Sequence, residues 1–185
     1  MASTTSEGVD SVIAELSEAL NDATATVGFA QAGLRQLTQF VATHVTPSAE
    51  NPDPMFYLGI SDPNLPDSAT YANWRVSKLL RQIELNGPVD DRLGHQWIVM
   101  FFAKWDEELR PRLAAAHGCE PRDIKVPLLG DLRLLRNAVV HERGISPGFG
   151  EVLRWFDRGA PIAMGGWHYA EFHRLFPWEA LRTRP

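Results

Sequence analysis

Cysteine is almost missing from this 185-residue chain. Cys119 stands alone, so no disulfide can form within the chain, and a reducing compartment is the expectation. Long apolar runs are missing too. None approaches a membrane span of about 18 residues, and the longest, around Trp97 to Ala103, is broken by Lys104. The stretch Met1 to Asp10 has neither the basic nor the apolar region of a secretory signal. These absences predict a soluble, cytoplasmic protein with no membrane partner. Lysine is scarce, 3 residues against 15 arginines, and the first 70 residues hold one base, Arg35, against nine acids. From Tyr71 on, 17 basic residues meet 14 acidic ones, so this part is positive by three although the chain as a whole carries −5. That balance argues against a general nucleic-acid coat and a long-range funnel for DNA, but leaves room for a local basic surface that meets phosphate. With 44% hydrophobic residues, the chain can build a core without disulfides or metal.

What is present is helical periodicity. Ile13, Leu16, Leu20, Ala23, Val27, Ala30, Leu34, Leu37 and Val41 recur at alternating steps of three and four, the seam of a helix packed along its whole length. Gly28 and Gly33 predict a bend in it, and Pro47 predicts its end near His44. Five prolines between Pro47 and Asp67 predict a long proline-rich loop. Asp67 or Ser68 then caps a predicted second helix, with Tyr71, Trp74, Leu79 and Ile83 on one side. A third is predicted from about Asp90 to His117, kinked or ended at Pro111, and a fourth over Pro127 to Arg143, stopped by Gly144. No strand-like alternation stands out. The prediction is an all-α fold, a bundle of four to five helices over residues 1–145, with residues 146–185 as a short C-terminal extension packed on the same domain. Within that extension, Glu151 to Phe156 reads as a short helix and Trp167 to Leu181 as a last helix interrupted by Pro177.

The fourth helix carries the anomaly. At about 100° per residue, Leu128, Leu132, Leu135 and Val139 form the centre of its apolar stripe. Arg133, Asn137 and His141, four apart, form a polar ridge on the opposite side. Arg136 belongs to neither group: it projects among Leu129, Leu132 and Val140, inside the apolar arc. A buried unpaired guanidinium costs several kcal/mol, so it must be paired or must face something polar. Two readings stand side by side here, a structural bridge to Asp131 or Glu142 and a guanidinium that faces something polar at an interface.

The run Arg136-Asn137-Ala138-Val139-Val140-His141 resembles the R-N-x-x-x-H signature of HEPN domains (the higher eukaryotes and prokaryotes nucleotide-binding family). The wider segment Asp131 to Ile145 is similar to that family's final core helix, including the glycine that ends it. The resemblance implies an HEPN-like bundle that dimerises through the helix 127–143, so that two copies of the motif line one cleft. It implies a metal-independent endoribonuclease without cofactor, of the kind found in toxin or defence systems, with an antitoxin protein as a further partner in some. By that resemblance His141 serves as general acid or base, Arg136 binds and neutralises the scissile phosphate, and Asn137 orients the site. The chemistry suits the residue types. An imidazole can take a proton from a ribose 2′-hydroxyl or give one to the leaving 5′ oxygen near neutral pH, and a guanidinium can meet two phosphoryl oxygens at once. The expected ends are a 2′,3′-cyclic phosphate and a 5′-hydroxyl, and DNA, lacking the 2′-hydroxyl, is not a substrate. Some members carry a tyrosine two residues after the histidine. Here that position is Arg143, which joins Arg133 as a candidate RNA-binding residue. The alternative is an HEPN-like module without catalysis, used for dimerisation or nucleotide binding.

Other candidates are weaker. His168 and His173 are five apart, the wrong step for a helical zinc pair, and no second cluster completes a metal site. Gly144-Ile145-Ser146-Pro147-Gly148 matches G-x-S-x-G, but a hydrolase elbow needs a strand before the serine and a helix after it. Trp74, Trp97 and Trp105 read as core. Trp155, Trp167 and Trp178 are the candidates for stacking on RNA bases.

Overall fold

A computed structural model of the chain describes residues 3–61, 64–148 and 150–183. Its elements are mostly helical: α1 (Ser3–His44), α2 (Val76–Ile83), α3 (Pro88–Ala103), α4 (Arg110–His117), α5 (Pro127–His141), α6 (Gly166–Leu175) and α7 (Trp178–Arg182), with strands β1 (Met55–Ile60) and β2 (Ala69–Arg75). Among the described residues, no helix is long and apolar enough to cross a membrane. The chain groups into two compact units, one from the residues up to Gly28 together with those from Asp91 on, the other from Phe29 to Asp90.

The first unit is built on the predicted seam. Ile13, Leu16, Leu20 and Val27 of α1 are buried with Trp97, Ile98 and Phe101 of α3, Leu128 and Leu132 of α5, and Phe172 of α6. Phe172 meets Trp97 and Phe101 edge-on, at ring-centre distances of 5.1 and 5.8 Å, the arrangement that aromatic quadrupoles favour. The helical path from α3 to α4 is not broken at Pro111. Instead, a π-helical turn over Lys104–Leu109 precedes it, and this wider turn accommodates a ring that would clash with the carbonyl four residues back.

The second unit corrects two sequence expectations. The stretch expected as a proline-rich loop contains β1, and the residues expected to open the second helix form β2. The strands pair antiparallel, from Met55 opposite Arg75 to Ile60 opposite Ala69, with a bulge at Leu58/Gly59. The fold is therefore largely rather than wholly α. The physical reason lies in the placement of the prolines: Pro52 and Pro54 precede β1, and Pro66 lies in the connection, so the ladder between them loses no N–H donor. Tyr71 and Trp74 stand at a helical step of three, which suggested one helix face, but in a strand an odd step puts them on opposite sides, and Tyr71 is accordingly exposed while Trp74 is half-buried. Trp74 and Phe56 pack with Leu34 and Leu37 against a small core of Val41, Val76, Leu79 and Ile83.

The C-terminal segment brings a third correction. Residues 151–156 are not helical. They run as irregular chain whose Leu153 and Phe156 enter the core of the first unit, while Ile145 and Pro161 form an isolated bridge. Pro177 separates α6 from α7, as its sequence position predicts.

Candidate functional site

Helix α5 divides into two faces. Leu128, Leu129, Leu132, Leu135 and Ala138 are buried, each large side chain worth about 1.5–3 kcal/mol on leaving water, so this face alone accounts for docking the helix. The other face is turned to solvent. Arg133, Asn137 and His141 are exposed along it, flanked by Leu134 and Val140, which are 43% and 48% exposed. Neither Arg133 nor His141 has an ion pair or hydrogen bond among the described residues.

Arg136 sits at the margin between the faces, half-buried. The expectation of a guanidinium inside the apolar arc is corrected accordingly. Its long stem covers apolar surface while the head swings outward, where Nη1 donates to Asn137 Oδ1 at 3.1 Å. The structural bridge to Asp131 or Glu142 does not form. Asp131 is committed elsewhere: its carboxylate, 5% exposed, accepts the backbone N–H groups of Glu151, Val152 and Leu153 at 2.9, 2.6 and 2.8 Å. Sequence reasoning missed this role. The available signal was an acid on the core side of an amphipathic helix, with a glycine, Gly150, at the start of the segment it ties down. A Cβ at Gly150 would run into the Asp131 carboxyl.

Arg136 and Asn137 line a cavity of about 190 Å³ whose other wall comes from α3 and the π turn, with Phe102, Asp106 and Glu107 among its residues. A neighbouring cavity of about 350 Å³ shares Phe102, Asp106 and Arg133 and reaches Arg110 and Lys125. Asn137 and His141 lie one helical turn apart on one side of α5. Arg136 and His141, five residues apart, are separated by about 7.5 Å along the axis and about 140° around it. One copy of α5 thus brings Arg136 to Asn137, and Asn137 to the side of His141, but does not aim Arg136 and His141 at a single point. Arg143 lies beyond the helix end, exposed, in the left-handed region with φ 56°.

The segment after α5 is pinned in place. The His95 ring lies within 3.0 Å of where a Cβ on Gly144 would sit, and Gly144 has φ 74°, so both space and backbone call for glycine. His95 Nε2 donates to the Ile162 carbonyl at 2.8 Å, because a carbonyl only accepts. Ser146 is buried, donating to the Phe156 carbonyl at 3.2 Å and accepting from the Gly148 N–H at 3.0 Å, and among the described residues the next helix begins only at Gly166. It is a turn residue. Among the described residues, no group of three or more His, Cys, Asp or Glu is placed to hold a metal ion. Of the three tail tryptophans, Trp167 is 62% exposed, Trp155 is half-buried beside it, with ring centres 6.3 Å apart, and Trp178 stacks on Phe176 at 4.2 Å. Trp97 and Trp105 are core, as expected.

Burial pushes His168 and His173 below the ordinary imidazole range. His168 stacks on Phe156 and accepts the Gly165 N–H at Nδ1, 2.9 Å. The unfolded chain takes up protons at these positions as pH falls through about 6.5, while the folded chain resists until lower pH. Their stabilising contribution is therefore complete above that value and is lost as pH falls below it. Thermal melts across about pH 7 to 5.5 should show a falling midpoint, and His168→Gln should make the fall shallower. An unchanged slope in that variant would exclude His168 as a source.

Compared with family models, curated proteins and solved structures, the chain matches none of them.

Proposed function

We propose that this chain is a metal-independent endoribonuclease of HEPN type, acting in the cytoplasm as a homodimer within a toxin or defence system. The observation that carries the reading is the free face of α5. It holds Arg136 hydrogen-bonded to Asn137 beside a cavity, and His141 one turn on, while the leucines on the other face supply the packing. In the proposed reaction a 2′-hydroxyl loses its proton as its oxygen bonds to phosphorus, and the departing 5′ oxygen gains one. His141 mediates proton transfer, and Arg136 meets the negative charge that builds on the phosphoryl oxygens. The 140° between them on one helix favours a site completed by a second copy. Leu134 and Val140, exposed on either side of the ridge, supply apolar area for that contact.

The test is incubation with RNA in excess EDTA. The expected result is cleavage that survives chelation, leaves 2′,3′-cyclic phosphate ends and spares DNA of the same sequence. Absence of cleavage from a dimeric preparation sinks the nuclease reading. One observation favours a non-catalytic nucleotide-binding module instead: Asp106 and Glu107 line the same cavity as Arg136 and would repel a bare polyanion. The same assay separates the two.

Arg133 and Arg143 would hold flanking phosphates. Replacing both by alanine should lower RNA affinity and reduce the slope of log K against log salt by about 1.4, two single-strand phosphate contacts at about 0.7 each. A salt titration with unchanged slope would remove them from the contact surface.

A further inference from the structure

We infer that the cavity beside Arg136 is a guanine-selective nucleotide subsite, in which the Glu107 carboxylate reads the base while Arg136 holds the attached phosphate. This rests on the nucleotide-directed reading of Arg136 given above.

The cavity carries opposite charges on different helices. Arg133 and Arg136 enter from α5, Asp106 and Glu107 from the π turn, and Val99, Phe102 and Ala103 supply apolar lining between them. Asp106 is already engaged by Arg110 at 2.9 Å. Glu107 is different: it has no ion pair or hydrogen bond among the described residues. The Arg136 head spends one N–H on Asn137 and keeps the others. A carboxylate and a guanidinium that share a cavity of about 190 Å³ without pairing leave room for a ligand with one anionic end and one donor end. Free phosphate would meet Arg136 but bring no donor to Glu107. A simple cation does not fit, because the arginines oppose it. A nucleotide meets both walls and sets a flat apolar ring against the apolar lining.

The carboxylate then selects among the bases. Guanine presents two adjacent donors, N1–H and the N2 amino group, which match the two oxygens of one carboxylate. On their Watson–Crick edges adenine and cytosine pair an amino donor with a ring-nitrogen acceptor, and uracil has one N–H between two carbonyls. Each of these leaves an acceptor facing a carboxylate oxygen. A bidentate match of this kind discriminates by about 10- to 100-fold.

The experiment measures binding of 3′- and 5′-guanosine monophosphate, and of the adenosine and uridine counterparts, to the full chain by calorimetry. The wild type should favour the guanosine nucleotides by about 10- to 100-fold. Glu107→Gln should bring them level with the uridine nucleotides, because an amide turns one acceptor into a donor facing donors. Equal binding of all bases by the wild type, or a guanine preference that survives Glu107→Gln, overturns the inference. Cut sites are mapped in parallel on RNA of mixed sequence. Cleavage without guanine preference, together with equal nucleotide binding, overturns this inference and leaves the nuclease standing. Guanine-selective binding without any cleavage overturns the nuclease and leaves the subsite standing.

Discussion

His141→Ala should lower the rate of RNA cleavage in EDTA by about 10²- to 10⁴-fold, the usual contribution of a positioned general acid or base. Arg136→Ala should lower it by about 10²- to 10³-fold, the loss seen when one donor to a developing oxyanion is removed. Neither variant should cost much stability. His141 is exposed with no partner among the described residues, and Arg136 gives up one hydrogen bond to an exposed Asn137 and part of the packing of its half-buried stem, together about 1–2 kcal/mol. Activity and melting temperature therefore separate a chemical role from a structural one. Arg136→Lys sharpens the distinction. It keeps the charge but not the planar fork, so it should recover RNA binding better than rate. If both alanine variants cut RNA at the wild-type rate, the two side chains are ordinary surface residues and the proposed chemistry fails.

Asp131→Ala should be the most damaging single change outside the apolar core. The carboxylate satisfies three backbone N–H groups, those of residues 151, 152 and 153, within one turn of irregular chain. Hydrogen bonds to a charged group are worth about 1.5–3 kcal/mol each, and buried donors left without a partner cost about 1–3 kcal/mol each. Loss of part of this set predicts destabilisation by about 3–5 kcal/mol. For a chain of this length that lowers the melting temperature by roughly 10 °C. Asp131→Asn should fall between, since an amide oxygen still accepts while its nitrogen faces donors. Gly150→Ala should act in the same direction by driving a methyl group into the carboxyl. Chemical denaturation of the three variants is the measurement. A shift of less than about 1 kcal/mol in Asp131→Ala would mean that water replaces the carboxylate at little cost.

His141 and Asn137 are legible because a regular helix converts spacing into direction, and the buried leucines of α5 need nothing beyond their own period. Glu107 is not legible. Its meaning depends on α3 and the π turn lying alongside α5, a contact between segments some thirty positions apart that no local pattern encodes. The strands β1 and β2 were missed for a related reason. A two-stranded pairing draws its stability from the partner strand, and each run alone is too short to separate a period of two from one of 3.6.

By itself the sequence determined the α1 seam, the amphipathic faces of α5, the break at Pro177, and the presence of the Arg136-Asn137…His141 pattern, whereas α5 ends at His141, two residues before the expected Arg143. Each follows from local geometry, in which backbone dihedrals and side-chain hydrophobicity act over a turn or two. Only the tertiary structure decided that Arg136 lies at the rim of the core, that Asp131 ties down residues 151–153, and that Glu107 shares a cavity with Arg136. Those outcomes depend on which charged groups are drawn close when apolar faces pack, and packing is settled by the whole set of faces at once.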